Sequence, residues 1–137
     1  MLINTYYSQK NCEYATQLKE QNDCSVLAFC IGTNIPYQQA HIMLQKSGRE
    51  TGCGFYIDET IKVIQANGFD LSIVNSMWHQ NGVPYIDSAI EHKLTAGHFI
   101  VCCAAHMFAV VDGVIQDGNY LRPYVIHEVY KVNETSH

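Results

Sequence analysis

Residues 24–32, Cys-Ser-Val-Leu-Ala-Phe-Cys-Ile-Gly, are almost wholly apolar and have no polar face. That pattern predicts a short helix buried on every side, with its N-terminal tip alone reaching a surface or cleft. Asn22 or Asp23 is suited to accept hydrogen bonds from the free N–H groups of the first turn, and Gly32 to end the helix. From Thr33 to Gly48 the spacing becomes amphipathic. Pro36 fits a first turn, Ala40, Met43 and Leu44 share one face, and Gly48 is a stop. A third helix is predicted from Asp58, with acids in its first turn, to Asn67-Gly68. Residues 1–20 show no clear period beyond a helical turn around Glu13 to Lys19, and read as an arm or short helix.

The pattern changes in the second half. Phe69, Leu71 and Ile73 alternate as in a strand, residues 75–85 read as a loop holding Trp78, His79, Gly82 and Pro84, and a short helix is expected from Asp87 to Leu94. His98–Cys103, His106–Val111, Val114–Asp117 and Val125–Val132 are rich in β-branched and aromatic residues and read as strands. Helices followed by an antiparallel sheet predict an α+β fold, with N-terminal helices, the buried one among them, packed on a C-terminal sheet. At 137 residues and 47% hydrophobic content, the chain is expected to form one domain over residues 1–137.

The formal net charge of −5, without a run of Lys or Arg, argues against binding to a nucleic-acid backbone. The opening residues lack the basic and apolar regions of a signal peptide, and no apolar run approaches the roughly 18 residues of a membrane span. A soluble, cytoplasmic protein with no membrane partner is expected. Six cysteines are present, but Cys102 and Cys103 are adjacent in an apolar strand and Cys30 lies inside the core helix. Reduced thiols fit that distribution better than a disulfide framework.

Cys24 falls in the first turn of the apolar helix, where unpaired N–H groups and the macrodipole favour the thiolate, the nucleophilic form. Gln17 and Gln21, just upstream, each carry a side-chain amide able to serve an oxyanion. Far downstream, Asp112-Gly113 between two β-branched runs is a two-residue hairpin signal. It sets Val111 opposite Val114, so His106, Asp117 and Asn119 project from one side, with Asp117 a diagonal neighbour of His106. An amide or carboxylate there fixes the imidazole tautomer, and a carboxylate also stabilises the imidazolium. Cys30, Cys102 and Cys103 read as core, Cys12 and Cys53 as loop residues. No zinc-ligand spacing is present, and neither metal nor cofactor is expected.

Cysteine at a helix tip, histidine at the head of a strand and Asp or Asn on the partner strand is the order of parts in a papain-like cysteine peptidase. Asn22-Asp23-Cys24-Ser25-Val26, Gly32 to Tyr37, Gly48-Arg49, Gly97 to Val101, His106 to Gly113 and Asp117 resemble the small papain-like proteins of bacteriophages and bacteria. Those are similar to the bacteriocin-processing, double-glycine cysteine peptidases. The resemblance implies a papain-like fold with nucleophile Cys24, general base His106 and orienting carboxylate Asp117, Asn119 being the alternative third member. Leu18 stands where the family's oxyanion glutamine is usual, leaving Gln17 or Gln21 for that role. The implied activity is hydrolysis of a peptide, isopeptide or amide bond through a thioester, on a protein or peptide substrate. If the chain is of phage origin, the compartment is the host cytoplasm. Two other readings keep the fold. In one the domain is a binding factor on a host target, and in the other the acyl group passes to an amine.

Overall fold

The computed structural model describes residues 6–74, 94–118 and 126–133. Helices α1 (Tyr6–Lys10), α2 (Glu13–Gln17), α3 (Cys24–Thr33), α4 (Tyr37–Lys46) and α5 (Ile57–Ala66) precede strands β1 (Asp70–Ile73), β2 (His98–Cys103), β3 (Met107–Val111), β4 (Val114–Gln116) and β5 (Ile126–Asn133). Helices first and strands afterwards is the α+β order expected from the hydrophobic pattern. Of the sequence expectations, the 75–85 loop, the helix from Asp87 and Asn119 lie outside the described residues. Leu94 is described, and it is buried but not helical.

Ser25 through Gly32 of α3 are all buried. Each fully buried Val, Leu, Ile or Phe contributes roughly 1.5–3 kcal/mol, so this helix is held by packing and not by its short length. Two details of its ends differ from expectation. The helix continues through Gly32 to Thr33 and is closed by Asn34 in the left-handed conformation (φ 59°), with Ile35 N–H donating to the Cys30 carbonyl at 2.9 Å. Gly32 serves close approach instead, since a Cβ there would lie 2.7 Å from Ile100 Cγ1 on β2. At the other end Asp23 occupies the N-cap, yet its side chain makes no capping hydrogen bond.

The described strands form one antiparallel sheet in the order β1-β5-β2-β3-β4. Ile100 and Cys102 of β2 and Met107, Ala109 and Val111 of β3 share a core with α3, α4 and α5. Phe99, Val101 and Cys103, with Phe108 and Val110, join Ile126 and Val129 in a second cluster on the opposite face. Burial on both faces explains why these strands read as continuous apolar runs instead of alternating ones. Between Cys102 and Cys103 the pairing to β5 slips from Glu128 to Ile126, a bulge that leaves His127 unpaired in the ladder.

Behind the start of α3 lies a buried polar cluster. Glu20 accepts from Arg49 Nη1 and Nη2 at 3.0 and 2.9 Å and from Gly52 N–H at 2.7 Å, and His41 Nε2 lies 2.8 Å from its other face. Burial opposes the charged carboxylate, but the Arg49 and Gly52 donors outweigh it and hold the Glu20 pKa at about 2. Arg49 Nη2 also reaches the carbonyls of Gln21 and Asn22 at 3.4 and 3.5 Å, and Asn22 Nδ2 donates to the Gly52 carbonyl at 3.1 Å. The segment leading into Cys24 is thus tied down by the loop that follows α4.

Candidate active site

Cys24 is the first residue of α3 and is only half-buried, whereas Ser25 through Gly32 are buried. The first intrahelical bond runs from Leu27 N–H to the Asp23 carbonyl at 3.0 Å. The N–H groups of Cys24, Ser25 and Val26 therefore stand outside the helical ladder, as at any helix start. The Asp23 side chain caps none of these donors. Its Oδ1 accepts from Lys10 Nζ at 2.7 Å and its Oδ2 from the Tyr37 hydroxyl at 2.7 Å. The acid next to the thiol is thus matched by an ammonium and a hydroxyl.

The opposing wall is set by the hairpin. Val111 pairs with Val114, Val110 with Ile115 and Ala109 with Gln116, and Asp112 and Gly113 have φ of 49° and 81°, the doubly positive signature of a tight two-residue turn. That register carries Asp117 to the histidine across the hairpin, and Asp117 Oδ2 lies 2.9 Å from His106 Nε2. The Cys24 side chain is also near enough to the imidazole to act on its protonation. Burial works against a charged ring here. The hydrogen bond to Asp117, the neighbouring Cys24 and the charges of both groups outweigh it, raising the His106 pKa to about 9. The His106 side chain is 16% exposed and that of Asp117 3%, so solvent reaches the imidazole and not the carboxylate.

Cys24, His106 and Asp117 border a cleft of about 1310 Å³. Its other walls come from the loop after α4 (Gly54, Phe55), from β5 (Glu128, Tyr130) and from α1 (Tyr6, Lys10). The glycine-rich loop 49–54 thus reaches the cleft at Gly54. Helix α1 is pinned at both ends: Tyr6 N–H donates to Gln116 Oε1 at 2.8 Å, and Gln9 Oε1 accepts from Tyr37 N–H at 2.9 Å. A Cβ on Gly118 would lie 2.9 Å from the Tyr6 hydroxyl, so the residue after Asp117 has to be small for α1 to sit there.

The hairpin register set Asp117 beside His106 and the resemblance implied Cys24 with them; all three line one cleft. Gln17 and Gln21 are elsewhere. The Gln17 amide donates to Glu13 at 3.2 Å on the exposed face of α2, Gln21 lies beside Gly52, and neither borders the cleft. Lys10 and Glu128 are cleft residues that the sequence reading did not single out, because α1 and β5 carry no local signal of where they meet α3. The remaining thiols separate by environment. Burial raises Cys30, and burial with nearby negative groups raises Cys102 and Cys103 to about 12, while Cys53 is exposed in its loop.

Among the described residues no group of three or more His, Cys, Asp or Glu is arranged to hold a metal ion, and no helix is long and apolar enough to cross a membrane. No protein-family model, no curated protein and no solved structure matches this chain.

Proposed function

We propose that this chain is a papain-like cysteine hydrolase acting on a peptide, isopeptide or other amide carbonyl of a protein or peptide. The observation that supports this best is a half-buried thiol at the tip of a buried helix, sharing a cleft with an imidazole that Asp117 holds at 2.9 Å and whose protonation the thiol influences. In this reading the Cys24 thiolate adds to the carbonyl carbon and the carbonyl electron pair moves to oxygen. Collapse of that oxyanion breaks the C–N bond, and the His106 imidazolium passes its proton to the leaving amine. Water then attacks the thioester, giving its proton to His106, and the acid leaves as Cys24 departs with the C–S electron pair. Asp117 keeps the ring oriented and stabilises its charge throughout. The Cys24 N–H is one oxyanion donor in this scheme.

The test is acylation by p-nitrophenyl acetate at neutral pH, with the acetyl group located by peptide mass spectrometry. The expected result is release of p-nitrophenolate with acetyl on Cys24, lost in Cys24→Ala. Acetylation of Cys24 no faster than of a cysteine peptide contradicts the proposal. Adding an amine tells hydrolysis from transfer, since transfer would yield the acetylated amine at the expense of acetate.

A further inference from the structure

We infer that Lys10 is the second oxyanion donor of this site, taking the place that neither Gln17 nor Gln21 can fill. The inference rests on the cysteine-hydrolase reading above and adds a residue to it. Acyl transfer through a thiolate puts a full charge on the carbonyl oxygen, and one backbone N–H beside it is half of what such sites ordinarily offer. Neither glutamine lines the cleft, and Gln17 is engaged by Glu13.

Lys10 is placed for the task. Its Nζ lies 2.7 Å from Oδ1 of Asp23, the residue that immediately precedes Cys24, and both Lys10 and Cys24 line the same cleft. An ammonium has three protons. Asp23 takes one, and among the described residues no other hydrogen bond or ion pair engages Nζ. Lys10 lines the cleft and its side chain is 30% exposed, so the ammonium is not enclosed in the core. Asp23 itself is 4% exposed at its side chain and fixed by the Tyr37 hydroxyl, so it is a rigid post that holds the ammonium at the tip of α3. The two anchors of α1, Tyr6 to Gln116 and Gln9 to Tyr37, hold the backbone from which Lys10 projects. A carbonyl oxygen positioned by the Cys24 N–H thus has a cation within the same cleft wall, one that acts on charge as it develops.

The experiment compares two reactions of one thiolate. Alkylation by iodoacetamide is a displacement at carbon with no oxyanion: the C–S bond forms as iodide leaves. Acylation by p-nitrophenyl acetate passes through one, which collapses to expel p-nitrophenolate. Both rates are measured on the alkaline plateau of the alkylation profile, where Cys24 is all thiolate and the effect of an unmatched Asp23 on its ionisation drops out. Lys10→Met is expected to slow acylation at least tenfold, toward the roughly 10²–10³ lost with one oxyanion donor, while alkylation changes less than about threefold. Lys10→Gln, which keeps an N–H donor without the charge, is expected to fall between the two. Equal slowing of both reactions, or slowing of neither, overturns the assignment. Failure of the wild-type protein to acylate at Cys24 is the distinct result that overturns the hydrolase reading itself.

Discussion

Among the described residues are two histidine–carboxylate pairs with nearly the same geometry, His41 with Glu20 at 2.8 Å and His106 with Asp117 at 2.9 Å. They are built for different ends. In the first pair both ring nitrogens are occupied, Nδ1 by the Tyr14 hydroxyl at 3.1 Å and Nε2 by Glu20, and the carboxylate is shared with Arg49. The side chains are 2% and 0% exposed. Such a closed network fixes the chain around it and has no site for a reactant. In the second pair one nitrogen is held by the carboxylate while the ring also meets the Cys24 thiol and opens on a cleft. The same two residue types form a closed scaffold in the first pair and, in the proposed reading, an acid–base pair beside a nucleophile in the second.

The sharpest way to break this contrast is to remove each histidine's role in turn. His106→Ala is expected to lower acylation of Cys24 by p-nitrophenyl acetate by about 10²–10⁴-fold, the range for loss of a positioned acid–base group. Its thermal stability should change far less. Arg49→Met should do the opposite. It leaves Glu20 as a buried, partly uncompensated charge and is expected to cost about 3–5 kcal/mol in urea unfolding. Comparable stability losses from the two variants would erase the distinction.

A third prediction concerns pH. By NMR, His106 should titrate at about 9, and Asp117→Asn should bring it down toward the ordinary 6.5. Amide hydrolysis should fall as pH rises through about 9, because the neutral imidazole has no proton for the leaving amine, and in Asp117→Asn that fall should move to lower pH. Since the folded state holds this proton more tightly than the unfolded chain, His106 adds stability that is full below about pH 6.5 and lost on rising through about 9. The smallest effect is expected from Tyr14→Phe, which removes the hydroxyl partner of His41 Nδ1. It should cost roughly 0.5–1.5 kcal/mol and leave the reactivity of Cys24 unchanged.

How far each pair was legible in the sequence follows from the same contrast. The His106–Asp117 pair was readable because Asp112-Gly113 fixes a local register, and a register fixes which side chains share a face. The apolar run of α3 likewise announced a buried helix, and with it a cysteine at an open tip. The Glu20–Arg49–His41 cluster depends on contacts that no local pattern encodes. Arg49 follows a glycine and precedes a glycine-rich loop, a context that reads as solvent-exposed surface. Its burial exists only because α4 brings residues 41 and 49 beside residue 20. Gln17 and Gln21 were misplaced for a related reason: proximity in sequence to Cys24 says nothing of direction once the chain turns between α2 and α3. Lys10 stands 13 residues from Asp23, and Tyr6 stands 110 from Gln116, so the wall that α1 builds was invisible before the fold.

The most direct test of the central claim uses all six cysteines as their own controls. The native protein is treated briefly with limiting iodoacetamide at neutral pH, and each thiol is quantified by peptide mass spectrometry, in wild type and in His106→Ala. Cys24, although less exposed than Cys53, should be alkylated first in the wild type, with Cys30, Cys102 and Cys103 protected, and should lose that lead in His106→Ala. If Cys24 reacts no faster than Cys53, or reacts alike in both proteins, Cys24 and His106 are not a catalytic pair.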